Sequence, residues 1–227
     1  WNAQSTFGNY FTYNLNPYWA ISRTAKLFGN YYTSFKTPSI YQLASPYGNL
    51  DLQPEQGKTI EFGVEKKMKF WKIRAVAFEN QVNQGIVFQA MDTEPFGKYQ
   101  NISQQHTRGI EFEISYQTSK FQADFNYTYL KGEMTDRDST YSSLIRRPTN
   151  AWNLYLQGKL TNKWSVGLSN QFVGQRTDYF YDESTYSVQP NPMSAYIWTD
   201  ISIHYQINSK WKVSALLKNA LNQEIME

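Results

Sequence analysis

The residues that most often carry catalysis are few and scattered in this chain. It contains two histidines, His106 and His204, and no cysteine. The histidines lie about 100 residues apart, and no nucleophile-elbow motif accompanies either of them. A metal site would need ligands at short, regular spacings, which neither histidine has. Without cysteine there is no disulfide framework and no thiolate site. We therefore predict no catalytic residue, no metal site and no cofactor.

Two groups of glutamates are the next candidates for chemistry. Glu61 and Glu65 lie in one predicted strand, and Glu111 and Glu113 lie in another. Side chains two residues apart on a strand point the same way, about 7 Å from each other, and catalytic carboxylates are found at such separations. The spacing is equally typical of a water-exposed strand face. We interpret these acids as the lining of a polar surface. No phosphate-binding glycine motif occurs.

The elements that must position these residues are strands of alternating character. Between Trp164 and Phe172, and again between Ile197 and Ile207, apolar and polar residues alternate. Successive side chains of a strand point to opposite sides, so each segment has one apolar and one polar face. About ten such segments can be counted, several of them with roughly ten residues or more. This length suits a tilted membrane strand better than a soluble one.

The alternation assigns residues to two faces. The predicted lipid-facing set in the last three strands is Trp164, Leu168, Ile197, Ile201, Ile203, Val213 and Leu217. The predicted lumen-facing set is Ser169, Asp200, His204, Gln206 and Lys212. Earlier in the chain we expect Val76 and Phe78 on the lipid-facing side. Arg74 shares that side near a turn, where a long side chain can snorkel.

Short polar turns precede aromatic residues at regular intervals. We predict them at Ser22–Ala25, Lys67–Lys69, Thr118–Lys120, Thr161–Lys163 and Asn208–Lys210. Long connections alternate with these turns, at about 37–57, 89–98, 132–146 and 175–195. Short turns at one rim, long loops at the other and an aromatic girdle are typical of an up-and-down transmembrane β-barrel. Ligand contacts are expected in the long loops.

The composition supports a membrane barrel. Aromatic residues make up 17% of the chain, with 18 Tyr and 7 Trp, yet the mean hydropathy is −0.63 and no long apolar run occurs. A soluble antiparallel sheet with one buried face would show the same alternation and is the alternative on periodicity alone. The net charge is +3 without a basic block, so nucleic acid is not a predicted partner. The predicted fold class is all-β, an antiparallel up-and-down transmembrane barrel.

Several segments resemble the C-terminal half of the barrel of a TonB-dependent outer-membrane receptor. The most specific are Tyr32–Leu43 and Tyr47–Glu55, which are similar to the family pattern Y-x-x-[GS]-[FY]-[KR]-x-P followed by N-x-x-L-x-P-E. Asn101 and Arg108–Phe112 resemble the family's N…G-x-E strand. Leu217–Asn222 resembles the run ahead of the last strand. These segments occur in the family's order over nearly the whole chain.

Within the family the closest resemblance is to cobalamin receptors. Leu144–Arg147 is similar to their L-L-R-R segment, and Gly174–Asp178 followed by Tyr181 is similar to their G-x-R-x-D loop start. The resemblance implies that Arg146 and Tyr181 face a corrinoid at the outer mouth. Arginine can donate to amides, and tyrosine offers a flat apolar surface with a polar tip. The alternative is that Arg146 pairs with an acidic loop residue and Tyr181 belongs to the aromatic girdle.

The resemblance also sets the expected domain organisation. Residues 1–227 are expected to be the C-terminal portion of a larger barrel of about 22 strands. The plug domain with its TonB box, the earlier strands and the last strand would then lie outside this chain, as would the loops that bind calcium in cobalamin receptors. The two edges of the ten-stranded sheet, near Tyr10 and near 212–217, are expected to pair with other strands of the same receptor.

The implied function is uptake of a large, scarce nutrient across the outer membrane of a Gram-negative cell. The protein would be a multi-pass receptor, not an enzyme, with outer-membrane lipids around it and TonB acting through the plug. A cobalamin-like corrinoid is the first expected ligand, and a ferric siderophore or haem is the next. A passive porin or adhesin barrel is an alternative. A ten-stranded outer-membrane protease is the enzymatic alternative, and it would use His106 or His204 with Asp92 or Asp200.

Overall fold

The computed structural model describes residues 2–4, 7–91, 97–136, 139–141, 144–185 and 187–224. In this part of the chain nearly all regular structure is β, as the alternating sequence predicts. The strands and the helix are β1 (Asn2–Gln4), β2 (Gly8–Tyr10), β3 (Asn14–Leu15), β4 (Tyr18–Ala20), β5 (Ala25–Lys36), α1 (Ile40–Ala44), β6 (Glu55–Lys67), β7 (Trp71–Ala90), β8 (Gly97–Gln117), β9 (Phe121–Asp136), β10 (Ser139–Tyr141), β11 (Asn150–Lys159), β12 (Trp164–Val173), β13 (Arg176–Asp182), β14 (Ser187–Met193), β15 (Tyr196–Gln206) and β16 (Lys212–Leu217). No helix in the described part of the chain is long and apolar enough to cross a membrane.

One antiparallel sheet contains all the long strands. Its order is β16-β15-β12-β11-β9-β8-β7-β6-β5-β3, so each long strand pairs with the long strands before and after it. The short strand β4 also pairs with β5, and β10 pairs with β9. The hairpins β1-β2 and β13-β14 form two small separate sheets. Ten strands therefore follow one another along the path, which confirms the up-and-down order expected from the sequence.

The first strand of this path is interrupted at Pro17. The sequence predicts one strand from about Tyr10 to Ile21, but the structure has the two short pieces β3 and β4 instead. Proline lacks a backbone N–H and interrupts a ladder. The register is kept across the gap because the Gly29 amide donates to the Pro17 carbonyl oxygen at 2.9 Å and the Thr33 amide donates to the Tyr13 carbonyl oxygen at 3.0 Å.

The five predicted short turns are confirmed, and three share one hydrogen-bonding arrangement. The side-chain oxygen at the first turn position accepts a hydrogen bond from the amide of the aromatic residue that opens the next strand. The pairs are Thr118 with Phe121 at 3.0 Å, Thr161 with Trp164 at 3.0 Å and Asn208 with Trp211 at 3.1 Å. Aromatic pairs beside these turns form a belt, in which the ring centroids of Trp71 and Tyr116, and of Trp164 and Tyr205, are 4.5 Å apart.

The strand register divides the sheet into two faces. We call the apolar one the outward face and the polar one the lumenal face. Leu168 lies opposite Ile201, which lies opposite Leu217, and this row is outward. Ser169 lies opposite Asp200 on the lumenal face. The predicted faces of the last three strands are therefore confirmed.

The face predicted for Val76, Phe78 and Arg74 is wrong. Their neighbours Ala75 and Ala77 lie opposite Val64 and Phe62, so the alanines are outward and the three larger residues are lumenal. Val76 is only 3% exposed, and Phe78 lies opposite Gly109, where a Cβ would come within 2.7 Å of the ring. Arg74 donates from Nη1 to Glu113 at 3.0 Å. The apolar side chains of Val76 and Phe78 fill the space that glycines on the two neighbouring strands leave on the lumenal side.

Candidate functional site

The long loops lie at the rim opposite the short turns, and one of them contains the predicted residue Arg146. It belongs to the turn Leu144–Arg147, in which the Arg147 amide donates to the Leu144 carbonyl oxygen at 3.3 Å. Arg146 adopts a left-handed backbone conformation, with φ of 57°. Leu144 is 7% exposed and lies over Gly132 of β9, where any Cβ would be within 2.5 Å of the leucine side chain. The buried leucine thus anchors the turn and leaves Arg146 outside.

Arg146 is clamped to the hairpin β13-β14. Its amide donates to the Thr177 carbonyl oxygen at 2.9 Å. Its guanidinium donates to Asp178 Oδ2 from Nε at 2.8 Å and from Nη2 at 2.6 Å. The Arg146 side chain is 62% exposed, whereas the Asp178 side chain is 17% exposed. Arg146 therefore does pair with an acidic loop residue, and the acid is Asp178.

Each charge of the pair Arg146 and Asp178 favours the ionised form of the other group. The hydrogen bond from Arg146 is the largest cause of a lowered pKa of Asp178, and a backbone hydrogen bond from Tyr179 acts in the same direction. The pKa of Arg146 is raised, mainly by the same hydrogen bond. Both groups are therefore ionised at neutral pH. The guanidinium has five N–H donors, so those of Nη1 are left over by the two contacts to Asp178.

The hairpin itself is held in register at its tip. Asp182 accepts hydrogen bonds from the Ser184 amide at 2.9 Å, the Ser184 hydroxyl at 2.7 Å and the Thr185 hydroxyl at 3.0 Å. These bonds, with the Ser184 hydroxyl first, lower the pKa of Asp182. The predicted residue Tyr181 is opposite Val188 in the β13-β14 register. The side chain of Tyr181 lies outside the part of the chain that the structure describes.

A cavity of about 320 Å³ lies between this turn and the hairpin. Its walls carry two arginines, and the guanidinium of Arg176 lies 5.4 Å from the ring centroid of Tyr196. The lining residues are Arg147, Thr149, Gln175, Arg176, Thr177, Pro192, Met193 and Ser194. Hydroxyl, amide and guanidinium groups together suit a ligand with many carbonyl or carboxylate oxygens.

A second long loop folds onto the lumenal face. It contains α1, which begins with a capping box: the Gln42 amide donates to Ser39 Oγ at 3.2 Å, and the Ser39 amide donates to Gln42 Oε1 at 2.8 Å. The buried residues Leu52 and Pro54 fix the end of this loop. The alternation pattern does not predict this helix, although Ser39-x-x-Gln42 is a recognisable helix start.

Asn101 of β8 fastens this loop to the sheet. Its side-chain oxygen accepts from the Gln53 amide at 2.7 Å, and its side-chain nitrogen donates to the carbonyl oxygens of Gln53 and Gln84, both at 2.7 Å. Gln84 has a positive φ of 58° at a bulge in β7. The family-like asparagine thus holds both a loop and a bulge.

Each histidine has a hydrogen-bonding partner. His106 Nε2 is 2.9 Å from Glu79 Oε1, and His204 Nδ1 is 2.8 Å from Ser214 Oγ. Asp92, which the protease alternative would use, lies outside the described residues. Among the described residues no group of three or more His, Cys, Asp and Glu side chains is arranged to hold a metal ion.

The comparisons with known proteins agree with one another on the family of this chain. A family model described as TonB dependent receptor-like, beta-barrel, matches residues 2–220. The chain is 29% identical over 203 residues to proteins named vitamin B12 transporter BtuB from strains of Vibrio cholerae serotype O1. The match covers 86% of this chain and 30% of the relative. The chain thus spans less than a third of the length of these relatives.

Solved structures support the same fold. The siderophore receptor PirA from Acinetobacter baumannii matches with a TM-score of 0.81 at 16% identity, over 96% of this chain and 38% of that one. The ferripyoverdine receptor of the outer membrane of Pseudomonas aeruginosa matches with a TM-score of 0.77 at 22% identity, over 92% of this chain and 29% of that one. At these identities the likeness concerns the fold.

Proposed function

Because this chain belongs to the TonB-dependent receptor β-barrel family, we propose that it is the C-terminal part of an outer-membrane receptor that imports a corrinoid. Residues 1–227 supply about ten strands and several loops of the barrel. The remaining strands and a plug domain come from the rest of the receptor. TonB acts through that plug and drives uptake.

The choice of corrinoid is supported by the sequence relatives. The vitamin B12 transporters share 29% identity with this chain over 203 residues, whereas the structural neighbours support the fold alone. The segments 144–147 and 174–178, which resemble those of cobalamin receptors, are joined in space by Arg146 and Asp178. Ferric siderophore and haem receptors belong to the same class, and they are outcomes of the test below.

The observation that carries the proposal is the 29% identity over 203 residues to vitamin B12 transporters. The pairing of Arg146 with Asp178 is the alternative that the sequence offers for this residue, and it is compatible with a ligand contact. It fixes an exposed cation at the loop rim without using all of its donors. A corrinoid carries several amide side chains, and their carbonyl oxygens are suitable acceptors for the N–H groups of Arg146 that Asp178 does not use. Tyr181, on the same hairpin, supplies an aromatic surface for the flat face of the ligand. A preordered arginine loses less entropy on binding than a mobile one.

The test is cobalamin binding to the purified full-length receptor. Arg146→Ala should weaken binding roughly five- to a hundredfold, because one hydrogen bond from a charged donor is worth about 1–3 kcal/mol. Tyr181→Ala should weaken binding as well, and Tyr181→Phe should weaken it less. Arg23→Ala is the matched control, since Arg23 is an exposed arginine in a short turn at the opposite rim.

The outcomes separate the parts of the proposal. If the wild-type receptor binds a ferric siderophore or haem and no cobalamin at micromolar concentration, the ligand assignment fails and the transporter class stands. If cobalamin binds and neither Arg146→Ala nor Tyr181→Ala weakens it, the two residues are wrongly assigned. If the receptor passes small solutes without any specific ligand, the importer proposal fails in favour of a porin.

A further inference from the structure

Charge is unevenly distributed over the lumenal face of the sheet. On β11 and β12 the lumenal residues from Ala151 to Gln157 and from Ser165 to Val173 are uncharged, and we call this surface the neutral wall. Its polar members are Asn153, Tyr155, Gln157, Ser165, Ser169 and Gln171. On β5 to β8, by contrast, charged residues face the lumen at most depths, among them Lys26, Glu61, Glu65, Lys72, Arg74 and Glu113.

The charged residues of β5 to β8 bind one another. Glu65 lies 3.5 Å from the ammonium groups of Lys26, Lys67 and Lys72. Arg74 donates to Glu113 at 3.0 Å. Hydrogen bonds between charged groups are stronger than those between neutral groups. A neutral ligand therefore competes poorly for this part of the lumenal face, and a charged partner that bound there would leave slowly.

The side chains of the neutral wall are exposed, and much of their hydrogen-bonding capacity is unused. Asn153, Ser169 and Gln171 are all exposed to the lumen. Asn153 donates to Asn126 Oδ1 at 3.0 Å, which leaves its own side-chain oxygen as an acceptor. Within the described part of the chain, the side chains of Ser169 and Gln171 have no hydrogen-bonding partner. Hydrogen bonds between neutral groups contribute little net free energy, because water forms equivalent ones. The wall thus offers weak, replaceable contacts.

The acidic residues on either side of the neutral wall are already hydrogen-bonded. Asp124 of β9 accepts from Gln122 Nε2 at 2.6 Å. Asp200 of β15 accepts from the Asn219 amide at 2.8 Å. The protein therefore supplies donors to both flanking carboxylates, and the strip between them keeps its neutral character.

The neutral wall lies directly below the candidate site at the loop rim. The turn that contains Arg146 leads into β11, and the hairpin that contains Asp178 connects β12 to β15. The clamp between Arg146 and Asp178 therefore joins the upper ends of the same strands. At the upper end of β15, the ring centroid of Tyr196 is 5.4 Å from the Arg176 guanidinium, and Tyr196 lies opposite Val173. A ligand that leaves the site toward the short-turn rim meets β11 and β12 first.

We propose that a large neutral ligand with many amide groups moves along the neutral wall during uptake, and not along the charged part of β5 to β8. Passage requires binding that is favourable enough for entry, yet divided over several weak sites so that the ligand can leave each one. Amide and hydroxyl side chains at successive depths of β11 and β12 meet this requirement for a ligand with amides on its periphery. The inference rests on the proposed function and adds a route through the lumen to it.

The test compares cobalamin uptake and cobalamin binding by the full-length receptor. Ser169→Trp places bulk in the middle of the neutral wall, and we expect the uptake rate of energised cells at saturating cobalamin to fall about tenfold or more. The affinity of the purified variant should stay within about twofold of the wild type, because the residues of the rim site are unchanged. Ser169→Ala keeps the space open and should leave the uptake rate close to that of the wild type.

Asn30→Trp is the matched control. Asn30 and Ser169 are each the sixth residue of a strand that begins at a short turn, and both face the lumen. Asn30 belongs to the charged part, where it donates to Glu61 at 2.7 Å. We expect its uptake rate to stay within about twofold of the wild type. The proposal is overturned if Ser169→Trp takes up cobalamin at the wild-type rate, or if Asn30→Trp slows uptake as strongly.

A second measurement needs neither cobalamin nor a bulky side chain. Ser169→Cys and Asn30→Cys are labelled in cells with an external maleimide on a neutral hydrophilic polymer, with the unsubstituted receptor as the blank. We expect energised cells to label Ser169→Cys several-fold faster than cells treated with a protonophore, and Asn30→Cys to show no such difference. Equal labelling at the two positions overturns the route. If the wild type takes up no cobalamin, the proposed function fails, and the labelling still decides where the lumen opens. The heat-dependent shift of gel mobility shows that each variant is folded.

Discussion

At the scale of single residues, the position of Arg146 follows from three different interactions. Leu144 buries the start of the turn, the Thr177 carbonyl oxygen holds the backbone, and Asp178 holds the guanidinium. The left-handed backbone of Arg146 is unfavourable for a residue with a Cβ, and it persists because the neighbouring contacts fix it. The exposed charge is therefore ordered before any ligand arrives.

The pH dependence of this clamp follows from the lowered pKa of Asp178. A carboxylate with a lowered pKa in the folded state stabilises that state above its ordinary pKa of about 3.9, and the contribution is lost as the pH falls through the lowered value. We expect protection of the Arg146 amide against hydrogen exchange to be unchanged between pH 7 and pH 5 and to fall in more acidic solution. The measurement is native-state exchange of loop amides as a function of pH.

Two substitutions check the origin of this acid transition. Asp178→Asn should remove it and leave the Arg146 amide weakly protected at every pH. Asp182→Asn should leave it in place, since Asp182 holds only the hairpin tip and its own pKa is lowered by other groups. A transition that survives in Asp178→Asn would contradict the assignment to this pair.

The sequence allows some of these residues to be predicted and not others. The resemblance of Leu144–Arg147 to a known loop singled out Arg146, and pairing with an acidic loop residue was one of the two alternatives. The sequence does not identify Asp178 as the partner of Arg146, because this contact depends on how the hairpin β13-β14 returns over the turn. Asn101 was noted as family-like, yet its three hydrogen bonds join residues up to 48 apart in sequence.

At the scale of elements, strict alternation is reliable where every second residue is clearly apolar. It succeeded for β12, β15 and β16, whose outward residues include Leu168, Ile201 and Leu217. It failed for β7, in which Ala75 and Ala77 are outward while Val76 and Phe78 are lumenal. Size is therefore a poor guide to the face of a strand when glycines on the neighbouring strands make room inside. The hairpin β13-β14 was missed for another reason, since Pro190 and Pro192 within β14 read as a loop.

The two faces of β12 make a matched pair of substitutions possible. Leu168→Arg places a charge on the outward face in the middle of the band, and we expect it to cost about 2–4 kcal/mol of folding free energy. Ser169→Arg, on the next residue, points to the lumenal face opposite Asp200 and should cost far less. Folding titrations of the full-length receptor into lipid vesicles measure both. Equal costs would mean that the faces are wrongly assigned.

At the scale of the whole molecule, the sheet has two open edges. In the described part of the chain, β16 at one edge is exposed along its entire length, and β3 and β4 at the other are exposed as well. The edges do not pair with each other. Unpaired backbone groups are costly in hydrocarbon. We therefore expect both edges to pair with further strands of the same receptor.

This expectation can be checked by hydrogen exchange. In the full-length receptor in lipid, the amides of β16 and of β3 and β4 should be protected. In the isolated 227-residue chain the same amides should exchange quickly, or the chain should self-associate through these edges. A monomeric isolated chain with protected edge amides in lipid would mean that the sheet closes on itself, and the expectation of a larger barrel would be wrong.

The turns with Thr118, Thr161 and Asn208 have a consequence for how the chain folds. Each fixes the register of one hairpin through a hydrogen bond that spans three residues. A slip by one residue would exchange the two faces of a strand, and a hairpin forms within about 1–10 μs, long before distant strands meet. The register of each hairpin determines which side chains face lipid and which face water. This register is thus set locally, in each hairpin separately, at the start of folding.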